Sequence, residues 1–222
     1  MSGILKVGGS ELINDNGGSG SLQWGSGVPD GTVLQSKTSE LTSGFNFTIG
    51  SNDNSQNNGT TDAEGTASTR ADSSWGGIVD DLIVTLTTLS SNSYFLITYS
   101  LYIANSKMAG GYNSFINLYS SVDNYADPIS RGDTSNTRKR VTGGFRSYFD
   151  GNSAFDGFNS RHIGGQAKYA PSISSGTSVT IKPLVASTYN IATYLNFNST
   201  DGDNIHNHRY VSSMTVQEIK GT

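Results

Sequence analysis

The chain has 222 residues and a formal net charge of −4, with 34% hydrophobic and 14% charged residues. It contains no Cys, which excludes disulfides, thiolate metal sites and a cysteine nucleophile. The mild acidity argues against nucleic acid as a partner, because phosphate binding needs a basic face. A low hydrophobic content with little net charge predicts a folded domain with a thin core, which an oligomer would help to stabilise.

Residues 1–30 are rich in Gly and Ser and carry only short apolar pieces. We predict that they form an extended docking arm ahead of a single domain over residues 31–222, with a disordered tail as the alternative. The first residues lack the apolar core of a signal peptide, and no apolar run is long enough for a transmembrane helix. Synthesis in a cytosol without membrane insertion is therefore expected. The residues that we expect at the docking interface are Ile4, Leu5, Leu12 and Ile13.

The first predicted strands lie at residues 31–36, after a Pro-Asp-Gly turn, and at residues 44–49. Between them and the rest of the domain, residues 50–74 are nearly devoid of apolar side chains. We predict a long exposed loop there, and loops of such length are either functional or mobile.

The strongest strand pattern lies at residues 94–103, which follow a β-branched segment at residues 82–89. Apolar and polar side chains alternate, which predicts a half-buried strand, since a helix would scatter the apolar residues around its circumference. The apolar residues of this stripe are Phe95, Ile97, Tyr99, Leu101 and Ile103.

Further strands are predicted after this point, with breaks at the Gly pairs 110–111, 143–144 and 164–165. About eight strands after residue 78, without intervening helices, predict antiparallel pairing in an all-β sandwich or barrel. The later strand segments are residues 114–122, 179–185, 189–197 and 210–219.

The densest group of polar residues is 201–208. Asp201 and Asp203 offer oxygen ligands for Ca²⁺, whereas His206 and His208, on one face of a strand, offer ligands for a transition metal. The spacing does not match an EF-hand loop, which needs a fixed Gly and a distal Glu. A turn between two strands explains the same residues, and we favour the turn, so no metal or other cofactor is expected.

The sequence carries no nucleophile elbow, no phosphate-binding loop and no His-Glu-x-x-His motif. Asp80, Asp81 and Asp150 could supply the acid/base pair of a polysaccharide-degrading enzyme, but that chemistry needs a spacing which the sequence cannot establish. We therefore expect no enzymatic activity.

Two kinds of surface residue are candidates for partner contacts. Exposed aromatic residues stack on sugars and anchor interfaces, and Trp75 and Tyr112 lie near Gly-rich turns, which makes them candidates for a receptor loop. Packing beneath loops is the alternative. The basic cluster at residues 138–140 is interpreted as a solvated loop or subunit contact, because no second cluster supports nucleic-acid binding.

Four segments form a recognisable layout: residues 2–7 followed by 27–35, the strand pair 82–103 with its turn at 90–93, residues 140–144 before a strand, and residues 187–219. Together they resemble a jelly-roll-type domain of structural and fibre proteins of marine tailed phages. The resemblance covers most of residues 27–220, and the long polar stretch 50–74 departs from it. It implies a jelly-roll-like β-sandwich, a homotrimer on the virion surface, contacts with capsid or tail proteins, and neither cofactor nor catalytic residues.

Three functional hypotheses follow. The first is a capsid decoration, head-fibre or short-fibre protein, made in the host cytoplasm and docked on the particle by residues 1–30. The second is a receptor-binding tip of a tail fibre, whose loops recognise a host surface glycan. The third, a small polysaccharide-degrading enzyme, has the least support.

Overall fold

A computed structural model describes the chain in ten stretches, and these contain fourteen strands, two short 3-10 helices and no α-helix. The described stretches are residues 4–7, 10–15, 22–24, 27–48, 77–105, 113–132, 141–146, 160–187, 192–198 and 208–222.

The 3-10 helices are Asp80–Leu82 and Ser121–Asp123. The strands are β1 (Ile4–Val7), β2 (Ser10–Asp15), β3 (Leu22–Trp24), β4 (Val33–Leu41), β5 (Phe45–Thr48), β6 (Gly77–Ile78), β7 (Val84–Thr87), β8 (Ser93–Asn105), β9 (Asn113–Ser120), β10 (Gly143–Arg146), β11 (Arg161–Tyr169), β12 (Ser178–Ser187), β13 (Ala192–Leu195) and β14 (Ser212–Lys220).

Two antiparallel sheets pack face to face, which confirms the predicted all-β sandwich. The larger sheet has the order β4-β14-β8-β11. Beside the end of β8, β13 continues the line of β14, and β5 continues the line of β4. The smaller sheet has the order β7-β12-β9-β10, with β6 beside β7 on the same edge of β12. Eight of the described strands follow residue 78, in agreement with the predicted number.

The core lies between the sheets, and β8 supplies its central stripe. All five apolar residues predicted to share one face of this strand are buried there, which confirms the alternation at residues 94–103. From the smaller sheet, Ile116, Leu118 and Ile181 pack against them. Strand β9 is also buried on its outer face, where Phe115, Tyr119 and Leu184 form a second, smaller cluster. This cluster was not predicted, because the pattern at residues 114–122 placed only the face of Ile116 and Leu118 in the core.

Residues 82–103 were predicted to form a pair of strands joined by a turn, and this prediction is wrong because the two strands do not pair with each other. Strand β7 pairs with β12 in the smaller sheet, whereas β8 pairs with β11, β13 and β14 in the larger one. The segment 88–92 is therefore a crossover between sheets. Alternation reveals that a strand is half-buried, but it carries no information about which strand lies beside it.

Two of the predicted glycine breaks are also wrong, because they lie within strands. Gly143 and Gly144 open β10, and Gly164 and Gly165 lie in the middle of β11. A Cβ atom at Gly143 or at Gly165 would stand 2.5 Å from the Tyr99 hydroxyl oxygen, so both glycines make room for this buried phenol. Burial raises the pKa of the Tyr99 phenol above its ordinary value.

We expect Gly165→Ala to destabilise the fold by about 1–3 kcal/mol, because the new methyl group overpacks the site beside Tyr99. Adding Tyr99→Phe should recover part of this loss, and a double-mutant cycle in urea measures the coupling. Gly132→Ala is the control, since a Cβ there has no neighbour within 4 Å. Strictly additive effects of the two substitutions would contradict the proposed contact.

Side chains of β4 close one side of the sandwich. The open edge of β7 and the residue before it present backbone carbonyls, and β4 places a donor opposite each of three of them. Gln35 donates to the Thr87 carbonyl at 2.6 Å, Lys37 to Thr85 at 2.8 Å, and Ser39 to Ile83 at 3.0 Å. An edge covered in this way is protected from pairing with another chain.

The N-terminal segment contains a small sheet of its own, with the order β1-β2-β3, rather than extended chain alone. Its register pairs Leu5 with Ile13, two of the four residues predicted at a docking interface. The sandwich begins before the predicted boundary at residue 31, because Val28 is buried and its carbonyl accepts a hydrogen bond from the Lys220 ammonium.

The two ends of the sandwich differ. At the end defined here as the arm end, Gly31 donates to the Lys220 carbonyl beside the start of β8. The opposite end, the loop end, carries the strand ends that border five connections. Those connections are residues 49–76, 106–112, 147–159, 188–191 and 199–207.

Candidate functional site

Four aromatic side chains form a row at the loop end of the larger sheet. The Tyr102 and Tyr210 rings stack almost in parallel, with centroids 4.4 Å apart and an interplanar angle of 9°. The His162 ring lies 5.0 Å from Tyr102 on β8, and the His208 ring lies 6.1 Å from Tyr210. Both tyrosines are half-buried and both histidines are exposed, so the row is open to solvent. We call these four residues the aromatic row.

A buried polar network beneath the row fixes the backbone of both tyrosines. The backbone N–H of Asn196 donates to the Tyr102 carbonyl, and the Asn196 carbonyl accepts from the Tyr210 N–H, each at 3.0 Å. The Ser212 hydroxyl accepts from the Tyr102 N–H at 3.1 Å and donates to the Asn196 side-chain oxygen at 2.6 Å. The Asn196 amide also donates to the Leu41 carbonyl at 2.5 Å. The stacked pair therefore rests on a satisfied and rigid network.

His162 is positioned by two neighbours on the sheet. Its Nε2 atom lies 2.9 Å from the Ser100 hydroxyl oxygen, within hydrogen-bonding distance. Its ring lies against Gly164, where an added Cβ would stand 2.6 Å from the His162 Cε1 atom. A glycine at this position is what allows the ring to lie along β11 beside Tyr102.

Rows of small polar side chains continue from the aromatic row across the outer face of the larger sheet. The first aligns Glu40, Ser213 and Ser100 across three strands. The second aligns Thr38, Thr215, Thr98 and Gln166, and the Thr38 and Thr215 hydroxyls are 2.8 Å apart. These two rows, the polar rows, contain one carboxylate and neither Lys nor Arg.

A groove of about 950 Å³ lies at the arm end, within the size range of ligand-binding clefts. The Lys168 ammonium lies 4.3 Å from the centre of the Tyr94 ring on one side. On the other side, the Lys220 ammonium lies 4.0 Å from the Asp30 carboxylate. Pro171, Asn92 and several Ser side chains also line the groove. The groove can bind polar or acidic groups next to the point where the N-terminal segment joins the sandwich.

Most residues predicted for a site from the sequence lie outside the described residues: Trp75, Tyr112, Asp150, Asp201, Asp203, His206 and residues 138–140. His208 is described, and it is exposed at the end of the aromatic row. The receptor loop thus stays a prediction, as does the choice of a turn over a metal site at residues 201–208. Within the described stretches, no group of three or more His, Asp or Glu side chains is placed to hold a metal.

The candidate catalytic carboxylates do not form a cleft in the part of the chain that the structure describes. Asp80 and Asp81 lie next to each other in the first 3-10 helix, and both are exposed. The groove at the arm end contains a single carboxylate side chain, that of Asp30.

The aromatic row was not predicted from the sequence. Tyr102 was identifiable as an outward residue, because it has the opposite parity to the apolar stripe of β8. Its partners were not, since His162 lies in β11 and Tyr210 lies just before β14, and the sequence does not reveal that either is beside β8.

Comparison with known proteins adds no relative: neither a protein-family model nor a curated protein matches the chain. In the described residues there is also no helix with the length and hydrophobicity needed to span a bilayer.

Proposed function

We propose that this protein is a non-enzymatic structural component of a phage particle, a trimeric surface appendage anchored through its N-terminal segment. The observation that carries the proposal is the polarity of the sandwich. The N-terminal segment enters at the arm end beside the groove, whereas the strand ends bordering five other connections lie at the loop end. An appendage needs this division, with one end against the particle and the other facing outward.

The strand order supports the proposal. An eight-stranded jelly roll consists of two four-stranded antiparallel sheets, and its consecutive strands pass repeatedly between them. The order β4-β14-β8-β11 opposite β7-β12-β9-β10 agrees with that topology, with β5, β6 and β13 as short additions. Jelly rolls are frequent in virus capsid proteins and in lectins, and this chain's resemblance to phage fibre domains points to the former.

The trimer is the part of the proposal that is tested most simply. A chain with 34% hydrophobic residues gains stability if neighbouring copies bury additional apolar surface. Light scattering on the folded protein at micromolar concentration should give three times the 23.5 kDa mass of one chain. A stable folded monomer would rule out the trimer.

Anchoring can be tested with particles that lack the chain. The variant Leu5→Asp/Leu12→Asp should no longer co-sediment with such particles, while its mass and circular dichroism stay unchanged. The control Val211→Asp changes an exposed apolar residue near the loop end, 49% accessible, and should co-sediment normally. If the arm variant co-sediments as well as the control, the arm is not the anchor.

A second function, recognition of a host surface glycan, is favoured by one observation. The aromatic row and the ends of β5, β8 and β13 lie together at the loop end, which the proposed anchoring turns away from the particle. In that arrangement the protein would serve as a receptor-binding tip.

A further inference from the structure

We infer that the outer face of the larger sheet is a polysaccharide-binding surface, with the aromatic row as its anchor and the polar rows as its hydrogen-bonding floor. This inference rests on the second proposed function and assigns it a site and a ligand class. The ligand class is a neutral, hydroxyl-rich polysaccharide.

The chemistry of the face matches such a ligand. A sugar ring has an apolar C–H face and a rim of hydroxyl groups, so its binding site needs aromatic surface together with closely spaced donors and acceptors. Tyr and His rings supply apolar area and polar atoms in one side chain. The polar rows supply Ser and Thr hydroxyls, a Gln amide and the Glu40 carboxylate, at the regular spacing of neighbouring strands.

The face is also preorganised. Mutual stacking holds the rings of Tyr102 and Tyr210 together, and the network around Asn196 holds their backbones. Ser100 and Gly164 hold His162 beside them. Side chains that are already ordered lose little conformational entropy on binding, which favours even a weakly interacting ligand.

Other classes of ligand fit this face less well. Nucleic acids and acidic polymers need cations, and the polar rows carry neither Lys nor Arg. A protein partner needs an apolar patch, and the exposed large hydrophobic residues of the described chain, Val33, Leu89 and Val211, lie on three separate segments.

The test measures binding of the purified full chain to immobilised dextran, mannan and galactan, with polygalacturonate as the acidic counterpart. We expect binding to at least one neutral polymer and a loss of about tenfold or more in affinity for Tyr102→Ala and Tyr210→Ala. Tyr94→Ala is the matched control, because Tyr94 is also a half-buried residue on the outer face of β8 but lines the groove at the arm end.

Gly164→Ala provides a variant that leaves the tyrosines in place. The new methyl group displaces the exposed His162 ring, so the melting temperature should stay near that of the original chain while affinity falls. The inference is overturned if no neutral polymer binds, if polygalacturonate binds better, or if Tyr94→Ala alone abolishes binding, which would place the ligand in the groove. Because the assay uses the isolated chain, its failure leaves anchoring on the particle to be judged by co-sedimentation.

Discussion

Replacing Glu218 with Ala should lower the free energy of unfolding by about 3–5 kcal/mol, the largest effect that we expect from a single substitution. The Glu218 side chain is 0% exposed, and four neutral donors surround its carboxylate. The backbone N–H groups of Leu89 and Ser90 donate to it at 2.9 and 3.1 Å. The Ser93 hydroxyl and the Gln35 amide donate at 2.5 Å each. Each buried donor left without an acceptor costs about 1–3 kcal/mol, partly offset by water entering the space.

These contacts hold the crossover between the two sheets. Leu89 and Ser90 belong to the link from β7 to β8, Ser93 is the first residue of β8, and Glu218 lies in β14. One carboxylate therefore fastens the link to the larger sheet. Glu218→Gln should cost about 2–3 kcal/mol, because it keeps the shape but turns two donors toward backbone N–H groups. Glu40→Gln, on the exposed face of β4, should change stability by no more than about 0.5 kcal/mol. Urea unfolding followed by circular dichroism measures all three variants, and a loss below about 1 kcal/mol for Glu218→Ala would contradict this account.

The second large effect is expected at Asn196, which joins β4, β8 and β14 where the larger sheet divides. Its backbone has a φ of 65°, a conformation that Asn tolerates better than most residues. Asn196→Ala removes the side-chain bonds to Leu41, Ser43 and Ser212 and adds backbone strain, so we expect a loss of about 3 kcal/mol. The near-ultraviolet circular dichroism of the Tyr102–Tyr210 stack should weaken as well.

Two further variants separate the two causes at Asn196. Asn196→Gly should recover about 1 kcal/mol relative to Ala, because glycine adopts positive φ without strain. Asn124 has a similar φ of 57° but is exposed, so Asn124→Ala should show the strain alone, about 1 kcal/mol. Equal losses at Asn196 and Asn124 would mean that the buried hydrogen bonds contribute little.

Features that depend on a single strand could be predicted from the sequence. The stripe from Phe95 to Ile103 gave the core face of β8, and the lack of helical periodicity gave the all-β class. Neither prediction required knowledge of a neighbouring strand.

Features that depend on pairing could not be predicted. Gly143 and Gly165 were interpreted as breaks. Their role is to leave space for the Tyr99 side chain, and the sequence does not reveal this role because Tyr99 is distant in sequence. Glu218 lies in the strand predicted at residues 210–219, and only the crossover at residues 88–92 explains its burial. The aromatic row likewise joins residues from β8, β11 and the segment before β14.

The central proposal, a surface appendage of a phage particle, is tested most directly by gold-labelling intact virions with antibodies raised against the folded chain. We expect label on the particle surface. Label spread over the heads would identify a decoration or head-fibre protein, and label on the tail would identify an adsorption protein. Intact virions that stay unlabelled, while the same antibodies detect the chain in the infected-cell lysate, would contradict the proposal.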